Sequence, residues 1–255
     1  MREKKIHVEV IPQLKDNYSY IIFSLKDKLA IIIDPAESKS IIEYIKKNNL
    51  KPGAILLTHH HKDHTAGVKK ILDSFSCNVY SPNKDITETT HIIKHNDIIK
   101  FDNLCFKIFA TPGHTLDHVI YHEYNNNVLF SGDTLFRYGC GRVFEGTYKQ
   151  MLSSLNIINE LDDVTEVYCG HEYSLNNLNF LESVFKNNNH LLLEKKILKN
   201  QIDRNGCTIP FNLGKEKDLN PFLSRKSPFY CSFMKEKKYN DLAMFTYLRD
   251  LKNSF

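Results

Sequence analysis

The spacing of apolar positions changes along the chain, and the change lays out the elements. Ile6 to Val10, Tyr18 to Leu25 and Leu29 to Asp34 are short runs rich in β-branched and aromatic residues, with Lys26-Asp27-Lys28 turning the second into the third. A helix capped by Ser38 or Ser40 is predicted through Lys47, stopped before Lys51-Pro52-Gly53. Ala54 to Thr58 is apolar almost throughout, which predicts a strand buried on both faces. It runs straight into His59-His60-His61-Lys62-Asp63-His64, and a helix over Ala66 to Phe75 follows. The pattern then repeats. Hairpin strands are predicted at Ile98 to Phe101 with Leu104 to Ala110, and at His118 to Tyr124 with Val128 to Ser131; a helix near Tyr148 to Leu161 and a strand Glu166 to Cys169 lead to His171.

Beyond Tyr173 the strand character fades. Leu175 to Lys186 and His190 to Asn205 carry helical spacing, Ile209 to Leu223 with Pro210 and Pro221 reads as extended, and a last helix is predicted from about Tyr239 to Lys252. The expectation is an α/β (α+β) protein. Two β-rich halves pack sheet on sheet with helices outside over residues 1–173, and a smaller helical domain over 174–255 supplies substrate contacts.

Composition narrows the class. Hydrophobic residues at 42% and charged residues at 25% are those of a globular protein, and no apolar run is long enough to span a membrane. The charged start Met1 to Lys5 lacks the apolar core of an export signal, and six dispersed cysteines without a C-x-x-C pair fit reduced thiols, so a cytoplasmic location is expected. The net charge of +4 is spread over many lysines without a block, which argues against nucleic acid and suits a small anionic substrate. A monomer or weak homo-oligomer is expected. The Asn125-Asn126-Asn127 and Asn187-Asn188-Asn189 patches read as a hairpin turn and an interhelical loop.

Among twelve histidines, several are grouped with carboxylates. H-x-H-x-D-H at a strand end places neutral imidazoles and a carboxylate on one tight turn, the demand of a divalent metal site. His59 and His61, two apart in extended chain, project to one side; Asp63 and His64 follow as the chain turns, and His60 points away. Three further donors each follow a predicted strand and a glycine: His114 in Pro112-Gly113-His114, Asp133 in Ser131-Gly132-Asp133, and His171 in Cys169-Gly170-His171. The assignment is two ions, one on His59, His61 and His114, the other on Asp63, His64 and His171, with Asp133 bridging. Zinc, iron and manganese all suit this set, with zinc placed first. His7, His91, His95, His118, His122 and His190 are read as structural, and so is Asp34, which ends a strand before Pro35.

With these residues the chain resembles the metallo-β-lactamase superfamily, whose αββα sandwich carries the same donors in the same order. Within it, Gly139-Cys140-Gly141-Arg142-Val143-Phe144-Glu145-Gly146-Thr147, Tyr168-Cys169-Gly170-His171-Glu172-Tyr173 and Asn220-Pro221-Phe222 resemble glyoxalase II, hydroxyacylglutathione hydrolase. The resemblance implies hydrolysis of S-D-lactoylglutathione to glutathione and D-lactate by a metal-bridging hydroxide, with Asp63 and Asp133 as the catalytic carboxylates. It also implies glutathione contacts at Arg142, Phe144, Tyr173, Arg249 and Lys252. Arg142 stands where lysine is common, and Phe144 where tyrosine is common. The rival within the fold is a persulfide dioxygenase with a single iron; a metal-binding module without turnover is the rival of another class.

Overall fold

The computed structural model describes residues 6–186, 188–224 and 227–255. The charged start Met1 to Lys5 and, in the second asparagine patch, Asn187 lie outside them. The chain groups into two compact units: residues up to Ala110 with Asp117–Gly132, and Thr111–Leu116 with Asp133–Phe255.

The first unit contains β1 (Ile6–Gln13), β2 (Asn17–Ser24), β3 (Leu29–Ile33), α1 (Lys39–Lys47), β4 (Lys51–Leu56), α2 (Lys62–Thr65), α3 (Val68–Leu72), β5 (Asn78–Ser81), β6 (His91–Ile92), β7 (Ile98–Phe101), β8 (Leu104–Ala110), β9 (Val119–Glu123) and β10 (Val128–Gly132). The strands β1 to β6 form one sheet in chain order, antiparallel through β3 and parallel thereafter. The strands β7 to β10 form an antiparallel meander. Alternation along β2 to β4 decides what each face meets. Ile21, Ile32 and Ile55 pack with Ile41 and Ile45 of α1 and Val68 and Ile71 of α3. Side chains of the opposite face meet the meander: the rings of Tyr20 and Phe130 lie 5.4 Å apart, and those of Tyr80 and Phe101 5.6 Å apart.

Local differences from the expected elements have plain causes. The strand β1 runs on through Pro12, which an edge strand tolerates because the missing N–H would face away from the ladder. The expected helix Ala66 to Phe75 is instead two short helices around Gly67. The Gly67 N–H donates to Pro35 O at 2.8 Å, and a Cβ there would stand 2.8 Å from that oxygen, so the backbone contact interrupts the helix.

The second unit contains β11 (Leu135–Phe136), β12 (Gly139–Cys140), α4 (Tyr148–Asn159), β13 (Glu166–Cys169), α5 (Ser174–Val184), α6 (Asn189–Asn205), β14 (Phe211–Asn212), α7 (Leu213–Leu219), α8 (Pro228–Lys237) and α9 (Asp241–Ser254). The stretch expected to be extended, Ile209 to Leu223, holds β14 and α7. Asn212 starts that helix by accepting from Lys215 N at 3.0 Å, a cap that outweighs the flanking prolines. Asn188 and Asn240 cap α6 and α9 in the same way, and Thr147 with Gln150 forms a capping box on α4. Among the described residues no helix is long and apolar enough to cross a membrane.

Candidate metal donors and substrate loop

In the first unit β4 delivers the histidine run. Its last residues are buried, and Thr58 anchors the exit: its N–H donates to Asp34 Oδ1 at 2.8 Å and its hydroxyl to Asp34 Oδ2 at 2.6 Å. The Thr58 hydroxyl also meets His59 Nδ1 at 2.9 Å, and Asp34 Oδ2 meets His64 Nδ1 at 3.0 Å. One ring nitrogen of each buried histidine is thus engaged, which orients the other. His59 Nε2 faces His61 Nδ1 at 3.0 Å, and the rings of His59 and His64 lie 4.3 Å apart. Asp63 Oδ2 stands 3.7 Å from His64 Nε2 and accepts from Asn17 Nδ2 at 3.0 Å. His60 is turned elsewhere, its Nδ1 3.0 Å from Asp117 Oδ2.

Asp34 and His118, expected to be structural, both lie against the histidine run. Asp34 adopts φ +47° to bring its carboxylate onto both Thr58 and His64. The buried His118 stacks on His59 with centroids 4.8 Å apart, and a Cβ at Gly132 would stand 2.7 Å from His118 Nε2. The signal available for Asp34 was its position, ending an apolar strand as Asp133 does.

In the second unit Asp133 lies between two histidines. Its Oδ2 is 3.4 Å from His114 Nε2 and 3.3 Å from His171 Nε2, long for charged hydrogen bonds but the convergence expected of ligands round a cation. His114 Nδ1 donates to Arg142 O at 2.8 Å, which fixes the tautomer that leaves Nε2 for a metal. His171 stacks flat on Tyr173, with centroids 4.7 Å apart and planes within 5°. All three donors are buried. Imidazoles braced at one nitrogen and grouped with carboxylates fit divalent ions in both units.

The segment from Gly139 to Thr147 packs back on these donors. A Cβ at Gly141 would fall 1.9 Å from Asp133 O, so only glycine fits. Asn220 Nδ2 donates to Gly139 O at 3.0 Å, and buried Glu216 accepts from Tyr138 N–H and from Asn220. Burial raises the Glu216 carboxyl to about 8 against the lowering pull of those donors and Arg137. Sequence reading missed Glu216, which lies in the stretch taken as extended.

Arg249 is buried. Its Nη1 donates to Cys140 O at 2.9 Å, its Nε to Asn253 Oδ1 at 3.1 Å, and its guanidinium lies over Phe222. Burial raises the Cys140 thiol, only partly offset by Arg249. Lys252, one turn on, donates to Asn176 O at 3.3 Å between the rings of Phe180 and Phe255; burial, then Arg249, lowers its ammonium to about 8. The Arg142 guanidinium lies over Phe144, whose ring meets His114 edge-on at 5.2 Å. The five residues expected to contact substrate therefore all stand in the second unit, on the loop, on α9 and beside His171.

Comparison with known proteins accounts for both stretches. The metallo-β-lactamase superfamily model matches residues 14–171, and the hydroxyacylglutathione hydrolase C-terminus model matches 172–255. A hydroxyacylglutathione hydrolase of Pelagibacter ubique is 38% identical over 253 residues, covering 98% of this chain and 100% of its own. One of Wigglesworthia glossinidia brevipalpis is 43% identical, covering 94% and 96%. The crystal structure of ETHE1 from Myxococcus xanthus superposes with a TM-score of 0.66 over 98% of this chain and 100% of that one; at 21% identity the likeness is one of fold. The architecture is the metallo-β-lactamase sandwich with a helical C-terminal part. The chain belongs to the metallo-β-lactamase superfamily and, within it, to the hydroxyacylglutathione hydrolases.

Proposed function

We propose that this chain hydrolyses the thioester of S-D-lactoylglutathione to glutathione and D-lactate, a cytoplasmic step of methylglyoxal detoxification. The observation that carries this reading is the full-length relationship to hydroxyacylglutathione hydrolases, including their C-terminal part. Residues 1–173 are assigned to metal binding and 174–255 to substrate. His59, His61 and His114 are assigned to one ion, Asp63, His64 and His171 to the other, and Asp133 to both; zinc is the proposed metal.

When bound, the ions supply Lewis acidity toward water and toward the thioester carbonyl. The protein's own part is orientation and charge. Asp34 and Thr58 keep the ring nitrogens of His64 and His59 aimed, and the Arg142 carbonyl does so for His114. Asp63, held by Asn17 and half-exposed, is the carboxylate assigned to orient water or take up its proton. Glutathione thiolate is a competent leaving group, so no strong general acid is needed. Arg142 and Lys252 are assigned to the carboxylates of glutathione. Arg249 holds Cys140 with Nη1 and serves the same carboxylates through Nη2. Tyr173 and Phe144 flank the thiol arm.

The test follows thioester absorbance with metal-loaded protein, then after chelation. Chelator-sensitive loss of absorbance is expected. Hydrolysis that is absent, or indifferent to chelation, overturns the proposal, and oxygen uptake with glutathione persulfide in its place would identify the dioxygenase.

A further inference from the structure

The Gly139 to Thr147 loop is tied to α9 at both ends. Near its start, Arg249 Nη1 donates to Cys140 O at 2.9 Å. At its end the chain passes from Thr147 into α4, and Tyr148, the first residue of that helix, donates its hydroxyl to Asp250 Oδ1. Asn253 lies between the two ties, three and four residues along the helix from Asp250 and Arg249. Its Oδ1 accepts from Arg249 Nε at 3.1 Å, and its Nδ2 reaches the Tyr148 hydroxyl oxygen at 3.5 Å. The direction of each bond is forced. A guanidinium only donates, so Asn253 presents its oxygen to Arg249 and keeps its amide N–H for the phenol oxygen, whose own proton goes to the Asp250 carboxylate. That last bond, with burial second, holds the Tyr148 phenol above its ordinary range, so it stays a donor. The ring meets Phe245 of α9 edge-on, with centroids 6.1 Å apart. One ordered chain therefore runs from Arg249 through Asn253 and Tyr148 to Asp250.

We propose that Asn253 and Tyr148 are positioning residues for glutathione binding: Asn253 fixes the turn of the Arg249 guanidinium, and Tyr148 fixes Asn253. This rests on the thioester hydrolase reading and its assignment of Arg249 to the carboxylates of glutathione. With Nη1 on Cys140 and Nε on Asn253, the guanidinium plane is held at two edges, so Nη2 keeps one direction for a carboxylate oxygen. A long side chain held beforehand gives up little rotamer freedom when substrate arrives, which strengthens binding without another contact. Glutathione is the half of the substrate remote from the reacting carbonyl. Loosening Arg249 should therefore appear in KM and leave kcat in place.

The test takes Asn253→Leu and Tyr148→Phe, each alone and combined with Arg249→Met. It measures kcat and KM for S-D-lactoylglutathione, and calorimetric Kd for S-methylglutathione, a thioether that cannot be hydrolysed. Asn253→Leu should raise KM and Kd about tenfold and Tyr148→Phe, one bond further from Arg249, about threefold. Metal content and kcat should stay within about twofold of wild type, which also reports intact folding. Beside Arg249→Met neither substitution should weaken binding further, because both act through that side chain. Effects that persist in full beside Arg249→Met, or that fall on kcat or metal content with KM unchanged, overturn the proposal. The thioether separates it from the hydrolase reading. Weaker S-methylglutathione binding in both variants, with no turnover of the ester by wild type, sinks hydrolysis and keeps the positioning; turnover with binding unchanged in both variants sinks the positioning alone.

Discussion

The donors of the first unit and those of the second are assembled in opposite ways. His59, His61, Asp63 and His64 come from one strand exit, and the acceptors that aim the two buried rings, Thr58 and Asp34, end neighbouring strands of the same sheet. His114, Asp133 and His171 come from three separated points of the chain. They converge on one carboxylate oxygen, lean on Tyr173 and Phe144, and depend on a loop that Asn220, Glu216 and Arg249 hold from helical segments much later in the sequence. The first set is organised locally, the second over long range. Damage to the first should therefore stay at its own donors, while the second can be disturbed from far along the chain.

Asp133→Ala should show the largest effect. It removes the one oxygen on which His114 and His171 converge and should lower kcat/KM by about 10^3-fold, with metal content falling in parallel. Unchanged metal content would mean that the carboxylate does not hold the ions. Asp34→Ala strips His64 of its acceptor and leaves two buried Thr58 donors unsatisfied. Metal affinity should fall about 10- to 100-fold, and denaturant unfolding should register a loss of about 3 kcal/mol. A variant that unfolds earlier but keeps its metal would assign Asp34 to the fold alone.

A smaller effect tests the long-range side. Because the folded Lys252 ammonium sits near 8, KM for an anionic thioester should rise several-fold from pH 7 to 9, as the cation is lost; Lys252→Met should flatten that rise. Arg249→Met should move it to higher pH by removing a neighbouring charge. The sign for stability is opposite to that of a paired lysine. The folded value lies below the ordinary 10.5, so the unfolded chain binds the extra proton between about 8 and 10.5. Stability therefore rises with pH across that window, and the penalty is fully present below it.

The contrast also explains what could be read from sequence. The strand grammar and the H-x-H-x-D-H turn are local, so period and spacing reveal them. The brace on His59 to His64 was half legible, because Asp34 ends its strand as Asp133 does, but only the folded sheet puts it against Thr58 and His64. Glu216 offered no signal: a glutamate among lysines, in a stretch read as extended, looks solvated until α7 turns it onto Tyr138 N–H. Gly67 was equally silent, since the break it makes depends on Pro35 lying alongside. Arg249 and Lys252 were reached through the family resemblance, whereas the turning of Arg249 onto Cys140 required the loop to be in place.

The asparagine caps bear on how the protein ages. Asn188, Asn212 and Asn240 each start a helix by accepting backbone N–H groups through the side-chain oxygen. Aspartate formed at these positions keeps that acceptor and sets a negative charge at the positive end of the helix dipole, whereas isoaspartate, the main product when the cyclic imide opens, lengthens the backbone and loses the cap. Chemical wear at these three positions therefore costs a helix start only in the isoaspartate fraction, and an old preparation should lose helicity in proportion to that fraction while its isoelectric point shifts with both products.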